Sequence, residues 1–170
     1  MEVLCEQLLA VPRDRVFAYF ADPSHLPALY AGVPGFRLIR HGGGVLPGSE
    51  TWISVSPIPG VSMVLGFRHT IWEPPDRFGE VAIRGPFARF LHVHEFEDRP
   101  GGTLVRDRVD LRLPWWAGGE ISARAVAGPL LRRGFEGRQE GLRGLAARGW
   151  PEVPAAAGGA AALDGTAKLR

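Results

Sequence analysis

The segment from Phe90 to Leu113 constrains the fold of this chain more than any other. It reads FLHVHEF, then EDRPGG, then TLVRDRVDLRLP, which is two alternating runs on either side of a turn-rich break. Successive side chains of a strand point to opposite faces, so every second residue shares a face. One face of the first run carries Phe90, His92, His94 and Phe96. The segment therefore predicts a β-hairpin with a largely apolar face in which two histidines are embedded.

The register of this hairpin decides which groups meet across it. A four-residue loop over residues 98–101 would place His92 opposite Asp107 and His94 opposite Val105. A slip by one residue would bring the histidines opposite arginines, which is worse for both packing and charge. We therefore predict a pair of His92 and Asp107 within an apolar surface, and ligand pockets are lined in this way.

Composition is that of a globular domain and excludes some partners. The 170 residues are 45% hydrophobic and 22% charged, which is enough to bury a sizeable core in one domain. The net charge of +2 is too small to indicate a nucleic-acid partner. A single cysteine, Cys5, excludes an internal disulfide and fits a reducing compartment. We find no leader-like or membrane-spanning pattern, so we expect a cytoplasmic protein without stable membrane insertion, and a homodimer stays open.

Alternation and turn residues predict an α+β chain. The order is one strand, two short helices, six further strands and a long C-terminal helix. The predicted strands cover residues 3–9, 36–40, 50–56, 62–72, 78–84, 89–97 and 103–113. Pro12 opens the first helix, and Ser24 is the predicted cap of the second. An antiparallel sheet needs cover for its apolar face, and one long helix can supply it while leaving a cavity beneath.

The C-terminal helix is predicted over residues 120–148. Gly128-Pro129 should interrupt it, because proline removes a backbone hydrogen bond in a helix interior. A stripe of small residues follows at Gly134, Gly137, Gly141 and Gly144. It indicates either close approach to the sheet or a helix held only by tertiary packing. Beyond a domain over residues 1–148, we predict that the Ala- and Gly-rich residues 151–170 form a disordered tail.

Three stretches of this sequence resemble a known family. They are VPRDRVFAYFADPSHLPAL near the start, GPFARFLHVHEFED with GGTLVRDRVDLRLPWW in the middle, and FEGRQEGL at residues 135–142. They resemble the START-like superfamily, also called SRPBCC or helix-grip, in a cyclase/dehydrase-like branch related to a domain of proteins labelled cell-division inhibitors. The resemblance covers about residues 1–148. It implies an α+β helix-grip fold, in which about seven antiparallel strands curl around the C-terminal helix.

The same resemblance implies a range of functions without choosing among them. Superfamily members bind lipids, sterols or hormones, carry hydrophobic molecules, or cyclise and dehydrate polyketides. A fold shared by so many activities carries no residue role by itself. The site must therefore be argued from the residues of this chain.

The predicted site centres on His92 and Asp107. Asp107 would orient His92 and set its tautomer, which leaves the other ring nitrogen for a ligand or for acid/base chemistry. The alternative is a structural hydrogen bond under the helix. If the chain is an enzyme, His92 and Asp107 are its predicted catalytic residues. The predicted ligand-binding residues are Phe67, His69, Val81, Ile83, Phe90, His92, His94, Phe96, Asp107, Trp115 and Phe135.

The two histidines of the predicted hairpin also raise the question of a metal site. The pair His92 and His94 suggests a metal site with Asp107 or His69 as third ligand, but His69 lies two strands away. We therefore predict no metal and no cofactor.

The favoured function is a module that binds a hydrophobic or amphipathic small molecule, because the sequence does not contain a complete catalytic set. The alternatives are a cyclase/dehydratase-type enzyme that uses a pocket histidine as acid/base, and a protein–protein interaction module.

Overall fold

The computed structural model describes residues 1–58 and 60–152, and its elements follow the predicted order. The strands are β1 (Glu2–Leu9), β2 (Arg37–His41), β3 (Glu50–Ile58), β4 (Val61–Glu73), β5 (Arg77–Arg84), β6 (Arg89–Arg99) and β7 (Gly102–Arg112). The helices are α1 (Arg13–Phe20), α2 (Leu26–Leu29), α3 (Gly119–Ser122) and α4 (Gly128–Ala147). The strands form a seven-stranded antiparallel sheet in the order β1-β7-β6-β5-β4-β3-β2. The predicted α+β helix-grip fold is confirmed.

The β6–β7 hairpin has the predicted face but not the predicted register. Its loop contains two residues, Pro100 and Gly101, instead of four. The backbone φ of Gly101 is +92°, which suits the second central position of a Pro-Gly turn. His94 therefore lies opposite Asp107, and the prediction that His92 lies opposite it was wrong. The error is two residues, and since alternation has a period of two, every side chain keeps its predicted face.

The helical region after α1 begins with a different cap from the predicted one. The Asp22 carboxylate accepts a hydrogen bond of 2.8 Å from the Ser24 backbone N–H. It caps a 3-10 turn over Pro23–His25, whereas α2 has no side-chain cap. The prediction that Ser24 caps a helix was wrong, because the chain turns two residues earlier and the aspartate takes the role.

Helix α1 fills one end of the space over the sheet with aromatic rings. The ring of Phe17 lies 5.9 Å from that of Phe78 and 5.4 Å from that of Phe96. The ring of Phe20 lies 5.3 Å from that of Phe96. All three contacts are edge-on, which is a favoured arrangement of aromatic pairs. We refer to this region, around Phe17, Phe20, Phe78 and Phe96, as the packed end.

The C-terminal helical segment changes its hydrogen-bonding type at the predicted interruption. A π turn over Ala123–Ala127 leads into α4, and Pro129 lies in the first turn of α4. Proline has no N–H to donate, so an α-helical ladder cannot run through this point unbroken.

One face of α4 packs on the sheet side. Phe135, Arg138 and Leu142 are buried on it at steps of three and four residues, as expected for the inner face of a helix. A charged group on such a face must find a partner. The partner of Arg138 defines part of the site described below.

Two further expectations concern the ends of the chain and membranes. The predicted disordered tail covers residues 151–170, of which residues 153–170 lie outside the described part of the chain. The domain boundary at residue 148 stays a prediction. Within residues 1–58 and 60–152, no helix combines the length and the apolar character needed to cross a membrane.

Candidate functional site

A cavity of about 930 Å³ lies between the sheet and the helices. Its volume is near the upper limit of the roughly 300–1,000 Å³ that small-molecule sites occupy. Its apolar walls include Leu65, Phe67, Phe90, Leu131 and Phe135. We refer to this region as the open end. The predicted ligand-binding residues that line the cavity are Phe67, His69, Phe90, His92, His94 and Phe135.

Strand β5 presents the opposite face from the one predicted. Phe78 and Glu80 line the cavity, and since side chains alternate, Val81 and Ile83 lie on the other face of the sheet. Ile83 is 37% exposed. The placement of Val81 and Ile83 in the pocket was wrong, because their greater hydrophobicity suggested an inward face that strand pairing does not give them.

Three other predicted ligand-binding residues do not line the cavity. Phe96 is buried in the packed end, where α1 covers it. Asp107 is buried behind the histidines of β6. Trp115 lies in the connection after β7 and is 88% exposed, so its predicted contact with a ligand is not present.

A row of polar side chains crosses the sheet wall of the cavity. Its members are Thr51 on β3, His69 on β4, Glu80 on β5, His92 and His94 on β6, Asp107 on β7 and Arg138 on α4. We refer to these seven residues as the polar row. Strand pairing places His69 beside Glu80, and Glu80 beside His92. The row therefore follows from the register of adjacent strands.

The half of the row on β3, β4 and β5 is loosely joined. Thr51 Oγ1 lies 3.1 Å from His69 Nε2 in a hydrogen bond. His69 Nδ1 lies 3.3 Å from Glu80 Oε2, but it has no well-aligned hydrogen-bond partner among the described residues. The other oxygen, Glu80 Oε1, lies 3.4 Å from His92 Nδ1. Glu80 thus stands between two imidazoles at ion-pair distances.

The half of the row on β6, β7 and α4 is tightly joined. His92 Nε2 donates a hydrogen bond of 3.1 Å to Asp107 Oδ1, and Arg138 donates to Asp107 Oδ2. His94 Nδ1 lies 2.8 Å from Asp107 Oδ1, but the ring is not oriented for a hydrogen bond. Asp107 and Arg138 are each 2% exposed. Asp107 can therefore influence the cavity only through the two histidines.

The charges of Asp107 and Arg138 sustain each other. Burial opposes ionisation of Asp107, but the Arg138 charge and the hydrogen bond from His92 hold the pKa of Asp107 well below its usual range. Burial opposes the charge of Arg138 as well, yet Asp107 raises the pKa of the guanidinium. The two groups form a buried ion pair beneath the cavity wall.

The pKa values of Glu80, His92 and His94 are not all shifted in the same direction. Burial acts against the charge of Glu80, but the close contact with His92 and its charge lower the pKa of Glu80 to about 2. Burial acts against the charge of His92, but its hydrogen bond to Asp107 and the nearby carboxylate of Glu80 raise the pKa of His92. Burial, and then the charge of His92, lower the pKa of His94 to about 4. The pKa values of the two histidines therefore move in opposite directions, and His94 is neutral.

Sequence reasoning missed two charged members of the row. Glu80 was passed over because Val81 and Ile83 are the more apolar alternate positions of β5. Arg138 lies three residues after Phe135 and four before Leu142, so its place on the apolar stripe of α4 was a usable signal. A charged residue on such a stripe indicates a buried partner, which is Asp107 here.

Three members of the row could hold a metal ion. Glu80, His92 and His94 each offer one ligand atom, and these atoms lie within 4.8 Å of one another. A carboxylate and two imidazoles are donors that divalent transition metals accept in proteins. The third ligand of this group is Glu80 and not Asp107 or His69, the residues that the sequence suggested.

Comparisons with known proteins place the chain in a family. The sequence profile of the family described as "Polyketide cyclase / dehydrase and lipid transport" matches residues 6–149. A search of curated proteins finds no significant match.

Solved structures share the fold at low sequence identity. Protein Ms6760 from Mycobacterium smegmatis is 16% identical, with a TM-score of 0.67 over 86% of this chain and 91% of that chain. TTHA0849 from Thermus thermophilus is 18% identical, with a TM-score of 0.67 over 87% of this chain and 98% of that chain. Ginseng major latex-like protein 151 from Panax ginseng is 16% identical, with a TM-score of 0.66 over 89% of this chain and 98% of that chain.

These similarities support the predicted superfamily, while the relation to proteins labelled cell-division inhibitors stays a prediction. The profile covers most of the chain, and the sheet, the C-terminal helix and the cavity agree with it. The chain therefore belongs to the polyketide cyclase/dehydrase and lipid transport family, within the START-like, helix-grip superfamily.

Proposed function

We propose that the chain binds a hydrophobic or amphipathic small molecule in the cavity between sheet and helix. The observation that carries the proposal is a cavity of about 930 Å³ whose walls are mostly apolar and which has members of the polar row on one side. Burial of apolar ligand surface stabilises a complex by roughly 25 cal/mol per Å², less the cost of association. Phe67, Phe90 and Phe135 would contact the apolar body of the ligand. A cytoplasmic location belongs to the same proposal.

The polar row would orient one end of the ligand. His94 lines the cavity and is neutral, and since its Nδ1 lies against buried Asp107, its Nε2 is the ring nitrogen available to a ligand. The ion pair between Asp107 and Arg138 leaves no unpaired charge at the inner end of the row. We therefore expect the bound end to be an uncharged hydrogen-bonding group, such as a hydroxyl or a carbonyl, beside His94.

A cavity-blocking substitution tests binding directly. The site of Gly134 lines the cavity, and a Cβ added there would meet no atom within 4 Å. Gly134→Leu should therefore fill part of the cavity without disturbing the helix. We expect it to weaken binding of the uncharged probe N-phenyl-1-naphthylamine at least about tenfold, equivalent to about 1.4 kcal/mol.

The matched control is Arg143→Leu, which adds the same side chain on an exposed part of α4. This variant should bind the probe as the wild type does. Equal binding by wild type, Gly134→Leu and Arg143→Leu would show that the probe does not enter the cavity, and the proposal would fail. Native mass spectrometry of protein purified from its own host would then identify any molecule that it carries.

A cyclase/dehydratase-type enzyme is the second candidate. It is favoured by the family description and by the position of His92, which lines the cavity between two carboxylates. Nε2 of His92 is held by Asp107, whereas Nδ1 lies 3.4 Å from Glu80, so a bound carbonyl compound that displaced this longer contact would exchange a proton with Nδ1. If the co-purified molecule is converted on incubation, His92→Gln should stop the conversion and keep the molecule bound. A carrier would show no conversion with either protein.

The protein–protein module is the least supported alternative. It would be favoured by a solid interior, and the cavity is instead large enough for a ligand. The predicted homodimer remains a prediction that size-exclusion chromatography with light scattering would test.

A further inference from the structure

Glu80, His92 and His94 converge on one point of the cavity wall. Glu80 projects from β5, and the two histidines project from the neighbouring strand β6. Their ligand atoms lie within 4.8 Å of one another, and all three residues line the cavity. Each side chain is at most 14% exposed, so the point is shielded from bulk water but open to the cavity.

The spacing of Glu80 and His92 is that of two ligands on one ion. Glu80 Oε1 and His92 Nδ1 are 3.4 Å apart, which is long for a hydrogen bond. Two donors bound at about 2.1 Å to a tetrahedral ion would be about 3.4 Å apart. An ion could therefore enter between these atoms with little movement of either strand.

The groups behind the histidines match the outer shell of a metal site. Metal-binding histidines usually donate their second ring N–H to a carboxylate, which fixes the ring. His92 donates Nε2–H to Asp107, and Asp107 is itself held by Arg138. Nδ1 of His94 lies 2.8 Å from the same carboxylate oxygen, which leaves its Nε2 for an ion on the cavity side.

We propose that Glu80, His92 and His94 form a binding site for a divalent transition-metal ion. Two imidazoles and one carboxylate suit ions such as Zn²⁺, Co²⁺ or Fe²⁺ and do not suit Mg²⁺, which prefers an all-oxygen shell. Three protein ligands leave a coordination position open toward the cavity, where water or an oxygen atom of a bound molecule would complete the shell. His92 would coordinate the ion through Nδ1, because its Nε2–H is donated to Asp107. The site does not depend on the proposed apolar ligand, because all of its ligands come from the chain.

Cobalt titration of the full chain tests the site. The protein is treated with a chelator, dialysed and titrated with Co²⁺, with isothermal calorimetry and visible absorption as readouts. We expect one ion per chain and the intense d–d bands of a four- or five-coordinate centre. Zn²⁺ should displace Co²⁺, whereas an excess of Mg²⁺ should not. Absence of stoichiometric binding in the wild type would overturn the proposal.

Three single substitutions test the ligands. Glu80→Gln and His94→Gln should each weaken Co²⁺ binding about 100-fold or more, since even outer-shell changes cost about 10–100-fold. The control is His41→Gln, which removes an exposed imidazole outside the polar row and should bind Co²⁺ as the wild type does. Loss of binding in His41→Gln with retention in His94→Gln would mean adventitious surface binding and would overturn the proposal.

A measurement on the wild type covers the case in which a ligand variant fails to fold. In protein labelled with ¹⁵N-histidine, Zn²⁺ should shift the ring nitrogens of His92 and His94 and leave those of His41 unchanged. The reverse pattern would overturn the proposal. Because these experiments use no apolar molecule, their failure would leave the proposed ligand binding intact, and failure of the probe experiment would leave the metal site intact.

Discussion

The packed end and the open end lie on the same face of the same sheet, yet only one of them is filled. At the packed end, Phe17 and Phe20 of α1 interlock with Phe78 and Phe96. At the open end, the sheet presents Leu65, Phe67 and Phe90, but a cavity of about 930 Å³ remains beneath the helices. The difference lies in the covering element and not in the sheet.

Helix α4 explains why the open end stays open. Where α1 contributes aromatic rings, α4 contributes Gly134, and a Cβ built there meets no atom within 4 Å. The same helix approaches the backbone of α2 closely at Gly141, where a Cβ would lie 2.6 Å from the Leu29 carbonyl oxygen. The two glycines of α4 therefore have different effects. Gly134 leaves space at the open end, whereas Gly141 allows close contact with α2.

The polar row runs along the cavity wall between these two regions. His94 illustrates its position, since its ring stacks on Phe78 at 4.4 Å and its edge lines the cavity. The packed end thereby supports groups that the open end presents to a ligand. This arrangement predicts different responses to substitution in the two regions.

The largest difference should appear when one aromatic ring is removed from each end. Phe17→Ala should lower the free energy of unfolding by about 3–5 kcal/mol, because it leaves a void in a filled region. Phe67→Ala should cost less, about 1–2 kcal/mol, since part of its ring already faces the cavity. Urea unfolding of the ligand-free protein measures both values. Equal losses would mean that the open end is filled in solution.

The ion pair beneath the polar row should come next. Arg138→Met leaves Asp107 buried without its partner and should cost about 3 kcal/mol in the free energy of unfolding. The control Arg106→Met breaks a half-exposed pair with Glu6 and should stay within about 1 kcal/mol of the wild type. Adding Asp107→Asn to Arg138→Met should recover part of the loss. A cost for Arg138→Met no greater than that for Arg106→Met would contradict the role of this ion pair.

The smallest effects distinguish the two glycines of α4. Gly141→Ala should destabilise the protein by about 1–3 kcal/mol, because the new methyl group collides with the α2 backbone. Gly134→Ala should instead stabilise it by up to about 1 kcal/mol, since alanine favours a helix and meets no obstacle there. Thermal unfolding compares the two variants directly. Destabilisation by Gly134→Ala would show that the open end is narrower than described.

Much of the fold was predictable because the signals are local. The alternation of FLHVHEF places His92 and His94 on one inward face whatever the register, and both histidines line the cavity. The interruption at Gly128-Pro129 follows from the missing N–H of proline alone. Each of these features depends on a short stretch of backbone and its immediate side chains.

The site was only partly predictable because its partners are distant in sequence. Alternation defines two faces of β5 but does not say which one faces inward, so hydrophobicity pointed to Val81 and Ile83, and Glu80 was missed. The register of β6 on β7 depended on whether the turn had two or four residues. These alternatives differ by a few torsion angles that the sequence pattern constrains weakly.

The order of the elements, the inward face of β6 and the family follow from the sequence, since hydrophobic periodicity and turn chemistry act over a few residues. The position of Glu80 beside His92, the contact of Arg138 with Asp107 and the unfilled space beneath α4 belong to the tertiary structure, because they depend on how separate elements pack. Asp107 and Arg138, which are 31 residues apart in sequence, are brought together by burial of the surfaces around them.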